Sequence, residues 1–291
     1  MIGICAVIKN EHLSLKEWLD YHFSIGIDHV WLFEDYTSDS HADIVKGYGD
    51  KVTLLPFSIT GAVEGNLLRQ CAVYEWFCHE YEGKMDWCAF IDVDEFIVIE
   101  NGMTLAELCD KFKDSSFNGF GLYWKMYNAN GHIKRPEGNV RDNYTQTTDY
   151  HVKNAVVRWV YKTIVNMHKH IERWPVCHSP GNVCDIEGNR IDIRAMKNTF
   201  ITEGAYLAHY FTKSWEDWLL RIKRGNIMAK NRNISMFFSM NPDMAHLKEN
   251  LLRDVDYHET PAVPTTRPIY PPSAEVNRTD LYRKNIRRRF R

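Results

Sequence analysis

The sequence predicts an α/β fold: a mostly parallel sheet with flanking helices, then a mixed subsheet and a C-terminal extension. Three observations predict it. Up to Ile91, short unbroken apolar runs alternate with segments whose apolar residues recur at helical spacing, a β-α-β pattern that implies right-handed crossovers. After Asp94 the runs become shorter and more aromatic, and some alternate, as strands of a mixed or antiparallel region do. The chain of 291 residues is 44% apolar, ample for one large domain or two modest ones.

Ile2–Ile8 reads as a first buried strand, with Lys9, Asn10 and Glu11 as its exit loop. Ser14 reads as an N-cap with Glu17 completing a capping box. Leu15, Trp18, Leu19 and Phe23 then give one buried stripe to a helix over 14–25, which Gly26 ends. Residues 30–33 form the second strand and 34–40 its polar exit. Ala42–Lys46 is a short helix, 52–55 a strand, 66–81 a helix and 87–91 the fourth strand. Further on, 96–99 is an apolar run, 104–112 a short helix, 119–126 an aromatic strand and 128–150 a polar loop. Strands over 155–165 and 205–211 follow. A helix over 214–230 opens on the box-like pair Ser214 and Asp217 and carries Trp215, Trp218, Leu219 and Ile222 on one face. Past Asn231 the composition loosens. Residues 261–272 hold five Pro, an extended linker, and 278–291 are strongly basic.

A formal net charge of −2 excludes nucleic-acid binding by overall electrostatics. The seven Cys are odd in number and mostly set in apolar runs (Cys5, Cys71, Cys88, Cys109), which reads as reduced, buried thiols of a cytoplasmic protein. The N-terminus lacks a basic segment ahead of a signal-like run, and no apolar run approaches the ~18 residues of a membrane span. Cys177, His178 and Cys184 lack the fourth ligand and spacing of a structural zinc site.

The run Trp87 to Phe96 carries the chemistry. An apolar strand ends in Asp92 and Asp94, with Glu95 beside them. Uncompensated carboxylates are costly in a buried strand, so these acids belong at a cleft edge at the strand's carboxyl end, where α/β sheets bind ligands. Alternate residues of an extended strand share a face, so Asp92 and Asp94 can reach one pocket while Val93 points away. Clustered hard oxygen ligands suit magnesium or manganese bridging to a diphosphate.

Several ordered motifs carry a resemblance. Lys9-Asn10-Glu11, Glu17-Trp18-Leu19, Tyr21-His22 and Gly26-Ile27-Asp28-His29 come first. Ser38-Asp39-Ser40, Gln70, residues 91–96 and Lys162-Thr163-Ile164-Val165 follow, then residues 209–214 and Arg224-Gly225. Over about 2–225 the chain resembles the family 92 glycosyltransferases and bacterial family-2-like relatives of GT-A (Rossmann-like) fold. Residues 127–131 and those after about 230 depart from the pattern, which leaves the acceptor open. The resemblance implies transfer of a sugar from a nucleotide-sugar, most often a UDP-sugar, to a hydroxyl of a glycan or lipid-linked acceptor, such as one of lipopolysaccharide or capsule synthesis. It implies a divalent metal, usually Mn2+ with Mg2+ as the alternative. The domain reading is 1–230 for the GT-A unit, with a nucleotide-binding half over about 1–100 and an acceptor half over about 101–230, then the extension 231–291.

By this analogy Asp94 ligates the metal, Asp92 contacts ribose or metal, and His209, heading His-Tyr-Phe-Thr-Lys-Ser, is a third ligand. The donor's seat comprises Val7, Lys9, Asn10, Glu11, Gln70, Asp92 and Lys213, with Glu34 and Asp35 offering an inseparable pair of acceptors for a base N–H. The N-terminus of the helix after Ser214 offers N–H groups to an anion. Arg221 and Arg224 either clamp phosphates or form a solvated face. Candidate catalytic bases are Glu216, Asp217 and Asp185, then Glu203 and His178. Trp124, Tyr123, Tyr127, Trp159 and Trp174 are core or sugar-stacking rings. The basic tail, from Arg278 to Arg291, is either solvated or a peripheral membrane contact.

Two other readings compete. An aspartate-based phosphotransferase or phosphatase would use Asp92 as nucleophile and Asp94 as acid, but it wants a Thr where Phe96 stands. An inactive sugar-nucleotide-binding relative would not need Asp92, Asp94 and His209 intact.

Overall fold

The computed structural model describes residues 1–35, 41–60, 69–149, 160–176, 178–192, 201–224 and 234–253. Strands β1 (Ile2–Ile8), β2 (His29–Glu34), β3 (Val52–Pro56) and β4 (Trp87–Phe90) run parallel in the order β3-β2-β1-β4. Helices α1 (His12–Ser24), α2 (Ala42–Lys46) and α3 (Arg69–Tyr81) lie in the connections between them. Side chains of β1 alternate between two layers. Ile4, Ala6 and Ile8 meet Leu15, Trp18 and Leu19, while Cys5 and Val7 belong with Tyr74 and Phe77. Burial on both faces is why the strand reads as an unbroken apolar run. Each such large side chain contributes about 1.5–3 kcal/mol by leaving water.

Beyond β4 the sheet becomes mixed, as the sequence predicts. After β5 (Glu95–Ile99), the chain forms β6 (Gly119–Tyr127), β7 (Thr147–Thr148), β8 (Tyr161–Asn166), β9 (Val183–Cys184), β10 (Arg190–Ile191) and β11 (Ala205–His209). β8 is antiparallel to both β4 and β6. The far end of β6 instead pairs with β11 in parallel and with β7 antiparallel. β6 therefore joins the two subsheets. A Cβ on Gly119 would stand 2.2 Å from the Ile164 carbonyl oxygen, so β6 and β8 can close there only around glycine. β11 also pairs with β5, setting His209 opposite Glu95.

Five more α-helices lie among the described residues. α4 (Leu105–Asp110) is capped by Thr104 and Glu107, while α5 (Val140–Asn143) breaks the polar loop. α6 (Trp215–Arg224) opens on the expected box: Ser214 Oγ accepts the Asp217 N–H at 3.1 Å and Asp217 Oδ2 faces the Ser214 N–H at 3.4 Å. α7 (Ile234–Met240) and α8 (Lys248–Arg253) follow. Phe237, Phe238, Met244 and Leu251 cluster with Trp215 and Trp218, so residues 234–253 form a packed cap although their composition is loose.

Three local expectations change. α1 starts at His12 and has no side-chain cap. The Ser14 hydroxyl instead meets Lys213 and Arg135, and Glu17 accepts the N–H groups of Val140 and Arg141, so tertiary contacts displace the predicted capping box. The fourth strand stops at Phe90, and Asp92 and Asp94 sit in a turn closed by the Glu95 N–H on the Asp92 carbonyl (3.0 Å). Alternation along a strand therefore does not set their direction. Residues 36–40, 66–68, 155–159, Cys177, 225–230, the Pro-rich 261–272 and the basic 278–291 lie outside the described residues. Cys5, Cys71, Cys78, Cys88, Cys109 and Cys184 are buried thiols. Among the described residues no helix is long and apolar enough to cross a membrane.

Candidate active site

The two acids of the β4–β5 turn meet different cations. Lys162 on β8 is 2% exposed and puts Nζ 2.8 Å from Asp92 Oδ2, while Gln70 on α3 donates to Asp92 Oδ1 at 2.9 Å. Arg221 on α6 puts Nη1 2.6 Å from Asp94 Oδ2, and His209 Nε2 lies 3.4 Å from the same oxygen. The β11–β5 register and the Tyr210 N–H on the Asp94 carbonyl (2.9 Å) explain why His209 arrives there.

Burial raises the pKa of both aspartates, but their cations win. Lys162 holds Asp92 below its usual range, and Arg221 with His209 holds Asp94 well below it. Glu95 behaves oppositely. Burial pushes its carboxyl well above the usual range, with Lys162, 3.9 Å away, offsetting only part of the effect. Its Oε2 accepts the Asp92 N–H at 2.8 Å and so fixes the turn. Burial also lowers the His209 pKa against the pull of Asp94, which favours neutral imidazole.

A second group of residues is basic. Lys213 is 7% exposed and donates to Ser14 Oγ at 2.7 Å, an oxygen that Arg135 also reaches at 3.1 Å. Arg135 has Asp217 at 3.3 Å, but among the described residues no carboxylate lies within ion-pair distance of Lys213. Lys213 also holds a left-handed backbone (φ 52°), as does Asn10 (φ 51°) in the β1 exit loop. Such a conformation costs a side-chain-bearing residue about 1–3 kcal/mol, which its surroundings must offset.

Val7, Lys9, Asn10 and Glu11 line the β1 exit, and Glu34 and Asp35 the neighbouring β2 exit. The structure separates the last two. Glu34 takes Nδ1 of buried His41 at 2.7 Å, and His41 Nε2 accepts the Glu11 N–H at 3.0 Å, which ties the two exits together. Asp35 is wholly buried and anchored by its N–H on the Ile8 carbonyl (2.8 Å). The α6 N-terminus is not the open anion seat expected. Its Trp215 and Glu216 N–H groups donate to the His132 and Ile133 carbonyls, and Ser214 donates to the Tyr144 hydroxyl.

The donor set at Asp94 and His209 fits a divalent ion of the magnesium or manganese type. One carboxylate oxygen and one imidazole nitrogen face each other, and such ions take their other ligands from phosphate and water. Among the described residues no three His, Cys, Asp or Glu side chains converge into a closed cage, and Asp92 is turned to Lys162 and Gln70.

The carboxylates read as bases have structural work. Glu216 accepts the Arg135 N–H at 2.9 Å and pairs with Lys134, which together lower its pKa. Asp217 caps α6 and pairs with Arg135. Asp185 closes its own turn, accepting the N–H groups of Glu187 and Asn189 at 2.9 Å. Glu203 is exposed. His178 differs: its ring lies 5.2 Å from Trp124, whose ring is 4.4 Å from His209, and it feels Lys162 and Asp92. His178 Nδ1 is 3.0 Å from the Tyr161 carbonyl, an acceptor only, so Nδ1 carries the proton and Nε2 is the basic nitrogen. Burial, then Lys162, lowers its pKa to about 3.

The sequence alone does not mark Lys162 or Arg135 as site residues. A lysine inside the apolar run of β8 was the available signal for the first; nothing in the polar loop marks the second.

Residues 2–255 match the family model described as Glycosyltransferase family 92. A glycosyltransferase family 92 protein of Ricinus communis is 28% identical over 116 residues, 40% of this chain and 20% of that protein. One of Oryza sativa subsp. japonica is 24% identical over 143 residues, 49% of this chain and 24% of that protein. The chain thus matches about a fifth to a quarter of the length of these curated relatives. Among solved structures, S. aureus TarS 1-349 in complex with UDP aligns with TM-score 0.32 and 18% identity, covering 47% of this chain and 38% of that one. Glucosyl-3-phosphoglycerate synthase from Mycobacterium tuberculosis, in complex with Mn2+, UDP and glucosyl-3-phosphoglycerate, aligns with TM-score 0.34 and 9% identity, covering 68% and 72%.

Proposed function

The chain belongs to glycosyltransferase family 92, and we propose that it moves a sugar from a nucleotide-sugar, a UDP-sugar in the first instance, to a hydroxyl of a glycan or lipid-linked acceptor. The observation that carries this reading is Lys213. A buried cation with no carboxylate in ion-pair distance among the described residues, facing a second cation across one serine hydroxyl, calls for an anionic ligand. A diphosphate between Lys213 and the acids of the β4–β5 turn supplies it.

Each residue then has a task. Lys213 and Arg135 hold diphosphate oxygens. The β1 and β2 exits, tied by His41, seat the nucleoside. Gln70 and Lys162 fix Asp92 for the ribose. Asp94 and His209 would hold manganese or magnesium, which when bound offsets the charge of the departing diphosphate. His178, neutral at pH 7 and set in the Trp124–His209 ring cluster, is the group assigned to the acceptor proton. The basic residues 278–291 support a membrane-associated acceptor, as in lipopolysaccharide or capsule assembly at the cytoplasmic face.

The test is a thermal-shift series with UDP, GDP, CMP and UDP-sugars, each with and without Mn2+. A ligand of the native state at a hundredfold excess over Kd adds about 2.7 kcal/mol. A manganese-dependent shift with one nucleotide, lost in Lys213→Met, is expected. Identical melting with every nucleotide would refute the reading.

A further inference from the structure

We infer that Arg221 is an exchangeable counter-ion: it occupies the Asp94 oxygen that a divalent ion would use, and gives it up when ion and diphosphate enter together. The inference rests on the metal reading above and goes beyond it, because it assigns an order to loading and a role to a residue outside the ligand set.

The geometry favours exchange over a permanent pair. Arginine meets a carboxylate best through two parallel N–H bonds. Arg221 instead makes neither: Nη1 donates to the Phe211 carbonyl (2.9 Å) and meets Asp94 Oδ2 (2.6 Å) as an ion pair without a hydrogen bond. Its Nε is buried without a hydrogen-bond partner among the described residues. The guanidinium is also held against the Phe211 ring, 4.7 Å from its centroid, on a side chain only 11% exposed. The contact neutralises Asp94 but leaves the guanidinium under-used. Asp94 Oδ2 is the same oxygen that faces His209 Nε2, so an ion shared by Asp94 and His209 and the Arg221 nitrogen compete for one place.

Exchange resolves both shortcomings. Without a donor bound, Arg221 keeps the 4%-exposed Asp94 from being an unpaired buried charge. With ion and diphosphate present, Asp94 has a stronger cation, and the released fork can turn to phosphate oxygens and use Nε. The nucleotide-free protein should therefore bind Mn2+ weakly, and nucleotide should tighten it.

The experiment is Mn2+ binding, followed by the paramagnetic resonance of free Mn2+, to the full chain with and without UDP. In the absence of UDP, Arg221→Gln is expected to bind Mn2+ at least tenfold more tightly than wild type. Its lowered melting temperature should recover on adding Mn2+. Arg221→Lys retains the charge and guards against a folding failure; it should tighten Mn2+ binding by a smaller factor. UDP should improve Mn2+ affinity more in wild type than in either variant. If both variants bind Mn2+ no more tightly than wild type, while UDP still promotes binding, the exchange role is overturned and the metal reading stands. If no protein binds Mn2+ even with UDP, both fall.

Discussion

Asp92 and Asp94 stand on one turn, yet the two regions that receive them are built differently. The Asp92 side chain is 35% exposed and is met by β8 and α3 through Lys162 and Gln70. The Asp94 side chain is 4% exposed and is met by the C-terminal half through His209 and Arg221. In the first region the carboxylate is partly solvated while its lysine is buried. The second is a desolvated junction between β11, β5 and α6, where a charge without a partner is far more costly. A two-acid motif thus conceals two roles: one acid positioned from the sheet, the other depending on a cation from elsewhere in the chain.

The sharpest way to break that contrast is to neutralise each acid. Asp94→Asn should lower transfer by about a thousandfold or more, in line with the loss of a principal electrostatic stabiliser. It should also destabilise the fold by about 3–5 kcal/mol, because Arg221 is left buried without its counter-charge. Asp92→Asn should lower transfer less and cost less stability, since water screens the partly exposed carboxylate, although Lys162 stays buried. Product formation and thermal melts on the same preparations check both. Equal losses of stability would erase the distinction between the two regions.

The next effect separates His178 from the acids of α6. His178→Gln should lower kcat by about a hundredfold, the usual scale of general-base loss, with the UDP-and-Mn2+ thermal shift intact. Glu216→Gln should change kcat by less than about threefold, because Glu216 holds the Lys134–Arg135 loop at the surface. The reverse ranking would return the base to α6.

The parallel strands and the acids of both regions were legible in the sequence; most of the long-range pairings were not. β1 to β4 announce themselves because burial on both faces demands unbroken apolar runs. Asp92, Asp94 and His209 stand out because charged or ligating groups interrupt such runs at strand ends. The pairings are another matter. Ser14 meets Arg135 across 121 positions and Lys213 across 199, and no local pattern encodes such a meeting. The same contacts explain the misplaced start of α1: Ser14 and Glu17 have the composition of a cap, but long-range partners claim both side chains. The β4–β5 turn replaces the predicted extended strand because the Glu95 carboxyl, wholly buried, accepts the Asp92 N–H and bends the chain there.

The smallest predicted effect sharpens the comparison through pH. In the folded protein, burial keeps the Glu95 proton on well above the usual range. The unfolded chain releases that proton near the ordinary value of about 4.3. Above this pH the unfolded state binds fewer protons than the folded one, so stability attributable to Glu95 falls as pH rises, until the pH passes the folded-state pKa. Asp94 has the opposite sign. Its depressed pKa stabilises the fold above about pH 3.9, the unfolded value, and that contribution is lost as pH falls through the folded one. Glu95→Gln removes the first effect while retaining an oxygen for the Asp92 N–H. It should melt above wild type at pH 7, and the gain should vanish as pH approaches 4. Melts across that range decide the matter. If the variant gains nothing at pH 7, Glu95 is ionised in the fold and paired with Lys162. The Asp92 side would then hold two negative charges on one lysine, and it, not the Asp94 side, would be the region short of a cation.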